Sequence, residues 1–94
     1  MAQVNINPDE LEQFVHELHN YLDTLQNSTA RLNHAFDTLS NTWQDAKRAQ
    51  FEGTYRELLQ ILRAFEGNTN EQIPYLKKLI SIQRDYQSSW FHKE

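Results

Sequence analysis

The residues best equipped for chemistry are Glu12, His16, His19 and Asp23. They fall at i, i+4, i+7 and i+11, which is one flank of a helix. Carboxylates and imidazoles so spaced can ligate a metal in a helical bundle. Bundle di-metal sites use Glu-x-x-His, however, and Glu12 and His16 stand four apart. No second Glu/His set lies on an apolar face further along. The expectation is therefore a solvated flank, with no metal and no cofactor. His34 sits on the polar side, two residues before Phe36, and His92 is isolated near the end. No serine sits in a nucleophile-elbow context, and no glycine-rich loop could cradle a phosphate. With no catalytic residue to name, the sequence reads as a non-enzyme.

The elements around these residues are few and long. Ninety-four residues make one domain, 1–94, and two glycines with two prolines are too few for a turn-rich β fold. Apolar residues make up 38%, including eleven aromatics (five Phe, four Tyr, two Trp). The net charge of −4 gives no basic face for nucleic acid, and the longest basic run is Lys77-Lys78. There are no cysteines for disulfides or thiolate ligands. No window approaches the roughly 20 apolar residues of a membrane span, so no stable membrane insertion is expected. Met1 to Pro8 has neither a basic start nor an apolar run, so no classical signal peptide is expected.

After a lead-in over 1–7, Asn7-Pro8-Asp9-Glu10 is a strong helix start. Asn7 can cap, Pro8 suits the first helical position, and the two acids favour the positive end of the dipole. From there Leu11, Leu18, Leu25, Leu32 and Leu39 recur every seven residues. Val15, Leu22, Thr29, Phe36 and Trp43 fill the alternate positions. This heptad seam predicts a helix over about 8–40. Phe14, Tyr21 and Ala35 lie beside the seam and widen its apolar face, with Ser28 interrupting.

Asn41 and Thr42 are weak helix formers, and Asp45 can cap a second helix. The bend is therefore expected at 41–45, with the Trp43 ring packed inward. The second helix is expected over about 45–88. Its apolar positions are Phe51, Tyr55, Leu58, Leu62, Phe65, Thr69, Ile73 or Gln72, Leu76, Ile80, Gln83 and Tyr86. Pro74 should kink this helix near Asn70, or break it so that it restarts at Thr69. The seam keeps its phase across the gap, which favours one kinked helix. Residues 89–94 lose the pattern and read as a flexible tail. The fold expected is all-α, an antiparallel two-helix hairpin. The core is expected from Leu18, Leu25, Leu32, Phe36, Leu58, Leu62 and Phe65. A lone hairpin buries one stripe per helix and is marginal, so self-association is the natural remedy. The same side chains, Leu18, Leu25, Leu32, Phe36, Leu58, Leu62 and Phe65, would then also meet the partner, joined by Phe14 and Tyr21. Glu52 and Arg56, four apart, should pair on the helix surface.

Two long helices with a tryptophan in the bend resemble the WXG family, the small early-secreted-antigen-like proteins of type VII secretion. The resemblance covers nearly the whole chain. It rests on Asn7-Pro8-Asp9-Glu10, on Trp43-Gln44-Asp45 in the bend, and on Gln50-Phe51-Glu52 early in the second helix. It implies hairpins paired into a four-helix bundle, as a homodimer or with a related chain. It also implies export without a cleaved signal peptide, through a secretion ATPase. Asp45 stands where the family motif has glycine. Members of one branch carry Tyr-x-x-x-Asp/Glu after the second helix, and here Tyr86 is followed at that spacing by Trp90. Trp90 and Phe91 could instead supply an apolar tail signal. These two departures feed the other reading, a cytoplasmic adaptor or scaffold bundle that is never exported.

Overall fold

The computed structural model describes residues 6–91, with side chains described through residue 88. Among the described residues two helices make up the fold, α1 (Pro8–Ser40) and α2 (Lys47–Phe91). They pair as an antiparallel, all-α hairpin. The local chemistry of each boundary explains its position. Asn7 Oδ1 accepts hydrogen bonds from the Asp9 N–H at 2.9 Å and the Glu10 N–H at 3.2 Å. Two of the donors that every helix start leaves open are thus satisfied. At the other end of α1, the Leu39 carbonyl accepts from the Thr42 and Trp43 N–H groups at 3.0 and 2.9 Å. Asp45 opens α2: its Oδ1 accepts from the Lys47 N–H at 3.0 Å. The bend therefore covers 41–46, and α2 begins two residues later than the sequence predicts.

α2 runs unbroken through Gly67 and Pro74, so the break-and-restart alternative does not occur. It also continues to Phe91, past the end expected at residue 88. The loss of apolar pattern after Tyr86 does not stop a helix whose backbone bonds are already in register. Of the expected lead-in and tail, residues 1–5 and 92–94 lie outside the described residues.

Contacts sort into two units. The terminal unit joins α1 up to Asn20 with α2 from Thr69 onward. The bend unit is the continuous stretch Tyr21–Asn68. In the terminal unit Val15, Ile73 and Ile80 are buried, with Pro8 beside them and Leu11, Leu18 and Leu76 half-buried. In the bend unit Leu22 and Tyr55 are buried, with Leu25, Phe36, Trp43, Leu59 and Leu62 half-buried.

This core corrects the one expected. None of Leu18, Leu25, Leu32, Phe36, Leu58, Leu62 and Phe65 is fully buried. Leu32 and Leu39 are exposed, while their neighbours Asn33 and Ser40 turn inward. A straight helix at 3.6 residues per turn drifts about 20° per heptad against a seven-residue repeat. By the fourth heptad the leucine row has rotated off the seam. Within the bend unit the inward residues of α2 are Arg48, Glu52, Tyr55, Leu59, Leu62 and Glu66. Phe51, Leu58 and Phe65, each one residue earlier, lie at the rim. The apolar stripe is wider than the contact that one sister helix can cover.

Candidate interaction surface

The exposed apolar side chains of the bend unit gather on one flank. On α1, Tyr21, Leu25, Leu32 and Leu39 follow at intervals of four and seven, which makes one stripe. On α2, Phe51, Leu58 and Phe65 follow at sevens, with Ile61 between the last two turns. The two stripes meet at one end, and near the bend the α2 stripe meets seam aromatics of α1 and the bend. Tyr21 and Phe65 pack edge to face with ring centroids 6.2 Å apart and planes at 88°. At the bend, Phe51 lies 6.0 Å from Phe36 and 5.6 Å from Trp43. Between these contacts Leu32, Leu58 and Ile61 remain exposed, Ile61 at 66%.

An aromatic cluster fixes the tip of this surface. Phe36 packs on Tyr55 at 4.7 Å with the planes tilted by 33°, and Tyr55 lies nearly parallel to Phe51 at 11°. Trp43 is half-buried against Phe51, as its seam position predicts. Its indole N–H donates to Asp45 Oδ1 at 2.9 Å, the same oxygen that caps α2. One carboxylate thus holds both the ring and the helix start. Gln44 between them is exposed. No described residue has a positive φ, so the bend makes no use of the conformation that glycine would permit.

The opposite flank of the bend unit holds a groove of about 440 Å³, lined by Phe36, Tyr55 and Leu59 as well as by Asn33, Asp37, Glu52, Arg56 and Arg63. At its floor the Tyr55 hydroxyl donates to Asn33 Oδ1. Arg56 pairs with Glu52 at 2.7 Å, as the spacing predicts. The bonded guanidinium holds the Glu52 carboxyl below its usual range.

In the terminal unit Phe14, Tyr75, Ile82 and Tyr86 are exposed. Arg84 spans its two helices: it reaches Asp9 Oδ1 at 2.9 Å and both oxygens of Glu12, at 2.9 and 3.4 Å. Those bonds, and the opposite charge behind them, lower the Glu12 pKa and raise that of Arg84. Glu12, first member of the stripe His16, His19 and Asp23, is thus engaged with a cation. Among the described residues no three His, Cys, Asp or Glu side chains are placed to share a metal. His34 is exposed, and its backbone carbonyl accepts from the Thr38 hydroxyl at 3.1 Å.

The side chains assigned to a partner contact thus divide. Tyr21, Leu32, Leu58 and Phe65 come together on the apolar flank of the bend unit, with Leu25 at its edge. Leu62 and Phe36 sit deeper, toward the sister helix. Phe14 and Leu18 belong to the terminal unit. Of the tail residues, Tyr86 is exposed on α2, while the side chains of Trp90 and Phe91, and His92 altogether, lie outside the described residues. The contacts of Arg84 with Glu12 and Asp9 and of Tyr55 with Asn33 escape the sequence reading. Their partners stand 72, 75 and 22 residues apart, and only the antiparallel pairing brings them together. No helix among the described residues is long and apolar enough to cross a membrane. No family model matches the chain, and no curated protein or solved structure is similar enough to it to count as a match.

Proposed function

We propose that this chain is a non-enzymatic interaction module, a helical hairpin whose apolar flank is covered by a second hairpin. One observation carries the reading: the strip of Tyr21, Leu32, Leu58, Ile61 and Phe65 left open to solvent on the bend unit. Among the described residues the buried apolar side chains are Val15, Leu22, Tyr55, Ile73 and Ile80, which supports it. Each contributes roughly 1.5–3 kcal/mol, a thin core for a chain of this length. The partner is a second copy or a related hairpin, and the pair forms a four-helix bundle. By its resemblance to the WXG family, the module is a type VII secretion substrate or co-secreted partner, handed to a secretion ATPase and exported without a cleaved leader.

Light scattering at micromolar concentration tests the pairing. A mass near twice 11.2 kDa is expected for self-association, and a related chain added in equal amount is expected to pair if the copy does not. A Phe14→Lys, Tyr21→Lys double variant should lower the mass while leaving helicity intact. A compact monomer that stays monomeric with every related chain removes the proposal. Asp45 in place of the motif glycine, and Trp90 in place of the acidic tail residue, favour a second reading, a hairpin adaptor retained in the cytoplasm. Fractionation while the secretion machine is active separates the two: protein confined to the cytosol counts for the adaptor.

A further inference from the structure

Granted the pairing of hairpins proposed above, we propose that the strip of the bend unit takes a second copy of this chain with both bends at the same end, and that Arg31 and Glu57 select this orientation. The two charges border the strip. On α1, Asn33 turns inward to Tyr55, Leu32 lies one step of about 100° back on the open flank, and Arg31 lies one step further, at the outer edge. On α2 the same steps run from half-buried Leu59 to exposed Leu58 to Glu57. Both charged side chains are exposed. Arg31 donates to the Ser28 hydroxyl at 3.2 Å, and Ser28 stands in the stripe of Tyr21, Leu25 and Leu32. Among the described residues neither Arg31 nor Glu57 is in an ion pair.

Arg31 and Glu57 also lie level. Asn33 bonds Tyr55, and two residues further from the bend on each helix stand Arg31 and Glu57. A two-fold pair is self-complementary, and two hairpins laid strip to strip can close in two ways. With the bends together, α1 of each copy lies on α2 of the other at the same height. Each Arg31 then meets the partner's Glu57. With the bends at opposite ends, α1 lies on α1 and α2 on α2. The stripes run from Tyr21 to Leu39 and from Phe51 to Phe65, so full overlap centres them near Ala30 and Leu58. Arg31 then meets the partner's Arg31, and Glu57 the partner's Glu57. Opposite charges across a rim fix register, and like charges there reject the arrangement.

Light scattering on the full chain reads pairing, and a spin-label distance reads orientation. Gln44 is exposed in the bend and the chain has no cysteine, so Gln44→Cys carries one nitroxide per copy. Bends together should hold the two labels within about 25 Å, since neighbouring helices pack roughly 10 Å apart. Bends apart would separate them by about 35–40 Å, from roughly twelve residues of helical rise on each side of the centre. Arg31→Glu and Glu57→Arg should each weaken association by about three- to thirtyfold, and the double variant should restore it. Circular dichroism should show the same helicity in all three. Dimers with distant labels, single variants that associate as the wild type does, or a double variant no better than the singles overturn this orientation and leave the pairing of hairpins standing. A chain that stays monomeric, or that pairs only with a related chain, overturns self-pairing and this proposal together.

Discussion

At the scale of single residues, three side chains carry more than their neighbours. Tyr55 is buried, and its hydroxyl satisfies Asn33 within the groove of the bend unit. Tyr55→Phe should cost about 1–3 kcal/mol, because Asn33 loses its donor in a half-buried place. Denaturant melts would read this as a lower midpoint with an unchanged slope. Asp45 holds both Trp43 and the start of α2. Asp45→Ala should cost about 1 kcal/mol or somewhat more, and the Trp43 fluorescence should shift toward that of a wetter ring. Arg84 links stability to pH. Its bonds lower the Glu12 pKa below the ordinary value of 4.5, so the stabilisation is present above that value. It is lost as pH falls through the lower folded-state pKa. Thermal melts taken downward from about pH 6 should therefore show a steeper loss for the wild type than for Arg84→Gln.

At the scale of elements, the helices were legible in the sequence and their facing sides were only partly so. Asn7-Pro8-Asp9-Glu10 fixes the start of α1 to the residue, because caps are local chemistry. The continuity of α2 through Pro74 was legible too, since the apolar spacing keeps its phase. The seam was misread where leucine spacing was allowed to stand for facing direction. Leu32 and Leu39 keep the sevenfold count while the helix itself turns at 3.6. Phe51, Leu58 and Phe65 lie outside the contact with the sister helix for a related reason. Periodicity shows that a stripe is apolar, and it does not show which edge of a wide stripe the sister helix covers. The Arg84 bonds were illegible for a third reason, since they require the pairing register before they can be seen. A further expectation concerns Gly53 in α2, around which a Cβ would find open space. Gly53→Ala should stabilise the hairpin by about 0.5–1 kcal/mol, read as a higher melting temperature.

At the scale of the whole molecule, the open flank and the thin core have one consequence for stability. If a second hairpin covers the Tyr21–Phe65 strip, the folded state is favoured by mass action. The melting temperature should then rise with protein concentration, and Leu58→Lys should abolish the rise. A melting temperature that stays flat over a hundredfold range of concentration would mean that the hairpin stands alone.

The bend has a reach beyond this chain. A turn that closes with every described φ negative, and ties an indole to the carboxylate two positions on, has no requirement for glycine. Sequence patterns keyed to Trp-x-Gly pass over hairpins built this way. A pattern keyed to Trp-x-Asp between two leucine-rich heptad runs would gather them, and would sort helical pairs by how their corner is chemically fastened.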